Sequence, residues 1–240
     1  MKNRILLTIA LVFTCSSAFA GSLTIALFDL SGSVLVDNSG QEGKDSPYNK
    51  NVSELNKQIN KLGKDDTIIV VGFGRKSDVT LLKATMPKQA GPMNRNLNAT
   101  KEAAIRKFQE NMRTKSGAID KSRTDIIGGI LRTSRLFAEN SEATGKHLII
   151  LSDMLDNENA GLSINRLKSQ GSHKVYLKKL DGKISTPELK GVEIDLFSVF
   201  TDIKNINTAE TEVAIKELKG FWNEYFLKTG GKIKSFRTDY

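Results

Sequence analysis

Leu23-Thr24-Ile25-Ala26-Leu27-Phe28-Asp29 is an apolar run that ends on a carboxylate. A half-buried strand would alternate apolar and polar residues; a run like this suits a strand covered on both faces, the habit of parallel sheets. Thr67–Phe73, Lys146–Leu151 and Val192–Phe200 have the same character. Between them lie helical patterns. Val52, Leu55, Ile59 and Leu62 recur at helical spacing and stop at Gly63, while Ala104, Ile105, Phe108 and Met112 mark a narrow stripe. Thr124 opens a further helix carrying Ile127, Ile130, Leu131 and Leu136. Buried strands alternating with amphipathic helices predict an α/β fold, a doubly wound and mostly parallel sheet with helices on both faces.

The remaining segments are shorter. Residues 34–48 and 84–96 read as irregular, Val79–Leu82 as an edge strand, and 162–168 as a short helix. Lys174 to Lys178 followed by Asp181-Gly182 predicts a small hairpin over residues 173–190. A long helix runs from about Thr208 to Lys228, with Asn207 and Glu210 at capping-box spacing, and a last strand covers Lys232–Phe236. The aromatic group Phe221, Trp222, Tyr225 and Phe226 on that helix is at core spacing, and a core role is the simpler reading.

Residues 1–20 have the order of a signal peptide: Lys2 and Arg4, an apolar run from Ile5 to Phe13, then Ala18-Phe19-Ala20 as the cleavage site. The run is too short to span a bilayer. Lipid attachment at Cys15, the only cysteine, is the alternative. Cleavage after Ala20 predicts an extracytoplasmic protein, periplasmic or secreted, with residues 21–240 as a single cysteine-free domain. No later segment is apolar for long enough to cross a membrane.

Without Lys2 and Arg4, basic residues outnumber acidic ones by 34 to 27, an excess of seven. Residues 83–123 alone hold ten basic and three acidic residues, the same excess, so a basic helical insertion over about 84–123 carries the charge of the domain. It leads directly into Thr124. Arg106, Lys107 and Arg113 are the candidates for steering an acidic protein partner; a merely solvated helix face is the alternative. Export argues against nucleic acid.

In an open parallel sheet, ligands bind beyond the carboxyl ends of the strands. Asp29-Leu30-Ser31-Gly32-Ser33 follows the first strand, Thr124-Asp125 begins a helix, and Ser152-Asp153 ends the third buried strand. This set and order resemble the metal-ion-dependent adhesion site of von Willebrand factor A (VWA) domains, over roughly residues 22–240. The resemblance implies that Ser31 and Ser33 bind an ion through their hydroxyls and that Thr124 binds directly or through water. Asp29 and Asp153 would hold the ion or its waters. The family often has glycine after the final aspartate, where this chain has Met154. All the donors are oxygens, which favours Mg2+, or Mn2+ or Ca2+, over zinc. Two carboxylates leave the ion electrophilic enough to accept a partner's carboxylate. The alternatives are caps without a metal and a metal-independent scaffold component of a cell-envelope assembly.

Enzyme readings lack their parts. A phosphoryl-accepting Asp29 would need a second aspartate two residues on, where Ser31 stands. Gly72-Phe73-Gly74 lacks the third glycine of a phosphate loop, and no G-x-S-x-G turn is present. His147 and His173, the only histidines, have no cysteine or second histidine at metal spacing. A non-enzymatic binding module is the expectation.

Overall fold

A computed structural model describes residues 21–35, 46–76, 78–197 and 208–237, apart from the side chains of Ser33, Leu35 and Thr208. The segment read as a signal peptide, the end of the fourth apolar run at 198–200 and the Asn207 cap lie outside the described residues. Six strands form one sheet: β1 (Leu23–Asp29), β2 (Thr67–Phe73), β3 (Asp78–Thr85), β4 (Lys146–Leu151), β5 (Val192–Phe197) and β6 (Lys232–Arg237). Their order is β3-β2-β1-β4-β5-β6, parallel throughout except for the antiparallel β2–β3 pair. The fold is α/β, with a mostly parallel sheet.

Every residue of β1 is buried, because β1 lies mid-sheet with helices on both faces. Leu23, Ile25 and Leu27 pack on one side with α4 (Ile126–Glu139) and α6 (Thr208–Thr229). Ala26 and Phe28 pack on the other with α2 (Pro47–Lys61) and α3 (Arg95–Lys115). The period-two alternation of a strand thus divides one apolar run between two cores. Phe221, Trp222, Tyr225 and Phe226 of α6 are buried in the first core, as their spacing implied. Among the described residues no helix is long and apolar enough to cross a membrane.

Local chemistry sets the helix starts. The Ser46 hydroxyl accepts from the Asn49 N–H, with Pro47 in the first turn of α2. Asp125, one residue beyond Thr124, caps α4 by accepting from the Gly128 N–H at 2.7 Å. The four-residue α1 (Gly32–Leu35) follows the β1 loop and α2 begins at Pro47, so both ends of the 34–48 segment expected to be irregular are helical, and 36–45 lie outside the described residues. β3 runs to Thr85 and a 3-10 turn at Pro92–Asn94 leads into α3 at Arg95, so only 86–91 of the 84–96 segment is irregular. A single 3-10 turn, Ile164–Arg166, stands in the 162–168 segment.

The hairpin expected over 173–190 is not formed. Ser172–Leu180 is a helix, α5, packed on α6. Tyr176, Leu177 and Leu180 are its buried residues, a helical spacing, while Val175 is 57% exposed. Burial against α6 overrides the strand-like Val175-Tyr176-Leu177 run.

Candidate metal centre

The sheet order has one reversal. From β1 the chain crosses through α2 to β2 on one side, and β4 pairs with β1 on the other. The carboxyl ends of β1 and β4 therefore flank the crevice where strand order switches, the usual ligand position in open α/β sheets. Asp29 is the last residue of β1, and Ser152-Asp153 follow Leu151 at the end of β4.

Asp29, Ser31, Thr124, Ser152 and Asp153 are all at most 3% exposed. One Asp29 carboxylate oxygen accepts from the Ser31 N–H at 2.8 Å and the other from the Ser152 hydroxyl at 2.6 Å. Ser152 also accepts from the Met154 N–H at 3.0 Å, and the Asp153 carboxylate from the Leu155 N–H at 2.9 Å. Burial pushes the Asp29 carboxyl up to about 7, the charge of Asp153 adds to the rise, and the serine bonds oppose it. Two buried carboxylates that repel each other, with serine oxygens around them, fit a hard divalent cation.

A strap places Thr124 at this edge. The Arg75 N–H donates to the Asp120 carbonyl at 2.8 Å and the Gly32 N–H to the Lys121 carbonyl at 3.0 Å. Gly74 makes this approach feasible, since a Cβ there would stand 2.3 Å from the Asp120 carbonyl oxygen. The Thr124 N–H donates to the Asn157 side chain at 2.9 Å, and the Thr124 carbonyl accepts from the Asn157 and Glu158 N–H groups. The described geometry thus couples Asp29, Ser31, Ser152 and Asp153 directly and sets Thr124 beside the loop after β4. Ser33 is the second residue of α1 at the same edge, and its side chain lies outside the described residues.

Met154 has a φ of +63°, the left-handed conformation that favours glycine. The loop keeps that backbone shape with a methionine whose side chain is fully buried. Asp156, also fully buried, accepts from the Ile127, Asn159 and Ala160 N–H groups at 2.8 to 2.9 Å. Burial still lifts its carboxyl to about 6, against those bonds. It ties the loop to the first turn of α4.

The charged rim is sorted by the fold. Glu158, with its side chain 6% exposed, gathers Arg75, Lys76 and Arg123 at 3.2 to 3.3 Å. Burial works against its charge, but Lys76 and the two arginines hold the carboxyl below its ordinary value. Arg106 and Lys107 are exposed on α3 and pair with Glu102 and Glu110 of the same helix. Arg113 instead lines a groove that also involves Leu30 of the β1 loop. Ser152, Asp156, Asn157 and Glu158 were not singled out as site residues from sequence. Ser152, adjacent to Asp153 at a strand end, carried a usable signal; the others act through tertiary contacts.

Among the described residues no group of three or more His, Cys, Asp or Glu side chains is placed to hold a metal. The candidate set has two carboxylates and otherwise hydroxyls.

No family model and no curated protein matches the chain. Among solved structures it is similar to an aerotolerance-related membrane protein from Bacteroides fragilis, at 13% identity over 91% of this chain and 92% of that one, TM-score 0.48. It is similar to the PilB minor pilin of Streptococcus sanguinis at 13% identity and TM-score 0.49, over 91% of this chain and 57% of the pilin. The SpRpn10 VWA domain aligns at 12% identity and TM-score 0.40, over 88% of this chain and 86% of that domain. These similarities assign no site residue.

Proposed function

We propose that this protein is an exported, VWA-like binding module that is not an enzyme. In this reading a divalent cation at the β1–β4 crevice engages a carboxylate of a protein partner. The observation that carries it is the buried Asp29–Asp153 pair at the switch point, with Ser31 and Ser152 bonded to Asp29. Asp29, Ser31, Ser33, Thr124 and Asp153 would hold Mg2+, or Mn2+ or Ca2+. The bound ion would supply an electrophilic point that a carboxylate can fill. The chain's own residues hold the pocket in shape: Ser152 orients Asp29, and Asn157 holds Thr124.

Calorimetric titration of Mg2+ and Mn2+ into the metal-free protein tests this. Saturable binding that is lost in Asp153→Ala and Ser31→Ala is expected. A wild-type protein that binds neither ion, nor Ca2+ in the same titration, overturns the reading and leaves the metal-independent scaffold in its place.

A further inference from the structure

A groove of about 410 Å3 runs between α2 and α3 and ends at the β1 loop. Half-buried Tyr48 and Val52 and the edge of Met112 give it apolar walls over the fully buried Leu30 and Phe108, and its volume is in the range of small-ligand pockets, about 300–1,000 Å3. Leu30 lies between Asp29 and Ser31, and the Lys121 carbonyl accepts from the Gly32 N–H, so the groove opens directly beside the candidate metal loop. Arg113 and Lys121 are its charged lining residues, and among the described residues no carboxylate lines it.

Several other cations of this segment are already engaged by side chains or carbonyls. Arg106 and Lys107 are paired to Glu102 and Glu110, Lys88 to Asp65 and Arg123 to Glu158, while Lys101 donates to the Asn60 carbonyl. Arg113 and Lys121 form no ion pair among the described residues, and Glu110, whose charge reaches Arg113, is bonded to Lys107 at 2.9 Å. An apolar slot whose charged lining, among the described residues, is two cations is complementary to a segment that is apolar at one residue and acidic at its neighbours. Extended chain advances about 3.5 Å per residue, so a carboxylate at the loop puts the next residues over the slot.

We infer that this groove takes a large apolar side chain from an acidic segment of a protein partner, and that Arg113 and Lys121 bind a carboxylate next to it. The apolar residue is the anchor, and the cations set register and approach. The inference rests on the proposed function for the carboxylate that would meet the ion, but the groove contacts are separate from the metal.

The test uses a labelled peptide, Gly-Glu-Phe-Asp-Gly, with the purified protein, following the Val52 and Met112 methyl groups by NMR in Mg2+ and in chelator. Both methyls should shift. Affinity should fall about tenfold when the peptide's Phe becomes Ala, and similarly in Val52→Trp, which fills the slot from its half-buried wall. Exposed Arg113→Glu should weaken binding and flatten its salt dependence. Groove shifts of equal size in Mg2+ and chelator support the groove while counting against the metal reading. Mg2+-dependent binding that ignores both the Val52→Trp and the Phe-to-Ala changes overturns the groove alone. So does a lack of methyl shifts at saturating peptide, or shifts that follow protein concentration without peptide, which mark a second copy in the slot.

Discussion

The indole N–H of Trp222, on α6, donates at 2.9 Å to the main-chain carbonyl of Met154, immediately after Asp153. Both residues are fully buried in the core on that face of the sheet. The bond satisfies a carbonyl turned inward by the left-handed backbone of Met154. The aromatic core of α6 therefore fixes the loop that presents the second candidate carboxylate.

Trp222→Phe keeps most of the ring but orphans that carbonyl, and should cost about 1–3 kcal/mol in denaturant unfolding. Met154→Gly should relieve about 1–2 kcal/mol of left-handed strain but lose a buried side chain worth about 2–5 kcal/mol. Burial wins, so the variant should be less stable than wild type. A more stable Met154→Gly protein would show that backbone strain dominates the loop.

Asp156 satisfies three N–H groups from two segments. Replacing it with alanine leaves these donors without their acceptor, at a cost of about 3 kcal/mol in unfolding free energy. Amide exchange should quicken at Ile127, Asn159 and Ala160 together. Unchanged protection at Ile127 would mean that α4 caps itself without this carboxylate.

A histidine clasp joins α5 to α6. The His173 ring meets Glu217 at 2.6 Å and Glu224 at 3.0 Å. Burial disfavours the charged ring, but the two carboxylates outweigh it and raise His173 above its ordinary 6.5. Burial likewise opposes the Glu217 charge, yet bonds from His173 and the Gly171 N–H bring it down to about 2 from 4.5. The histidine contribution is complete below pH 6.5 and is lost as pH rises through the raised value. The Glu217 contribution is complete above 4.5 and is lost as pH falls towards about 2. The clasp is therefore strongest between pH 4.5 and 6.5. Thermal melts across pH should show the alkaline decline flatten in His173→Gln; an unchanged slope would place the decline elsewhere.

The strands and the strand-end positions of Asp29 and Asp153 were legible because each rests on a local signal. Apolar runs such as Leu23–Phe28 mark a strand buried on both faces, and a polar residue at the end of such a run falls at the sheet edge. The 173–190 segment was misread because five residues around Tyr176 satisfy either period. Only the surface of α6, which covers Tyr176, Leu177 and Leu180 but leaves Val175 in water, decides between them. Arg106, Lys107 and Arg113 are alike as charges in a list. Their difference comes from helical phase and from which acids lie within reach. Asp156 and Trp222 work across 29 and 68 residues of sequence, a relation no local pattern carries.

The central claim is that Asp29 belongs to a cation site, and Asp29→Asn tests it most directly. Asparagine can still accept from the Ser31 N–H and meet the Ser152 hydroxyl, yet it removes a buried charge repelled by Asp153. The measurement is the melting temperature of wild type and variant, each with chelator and with saturating Mg2+. A ligand present at a hundredfold excess over its dissociation constant adds about 2.7 kcal/mol to the folded state. The account predicts that Mg2+ raises the wild-type midpoint and leaves the variant unmoved, with the variant at least as stable as wild type in chelator. A wild-type midpoint indifferent to Mg2+, Mn2+ and Ca2+, or a variant that keeps the full response, would contradict it.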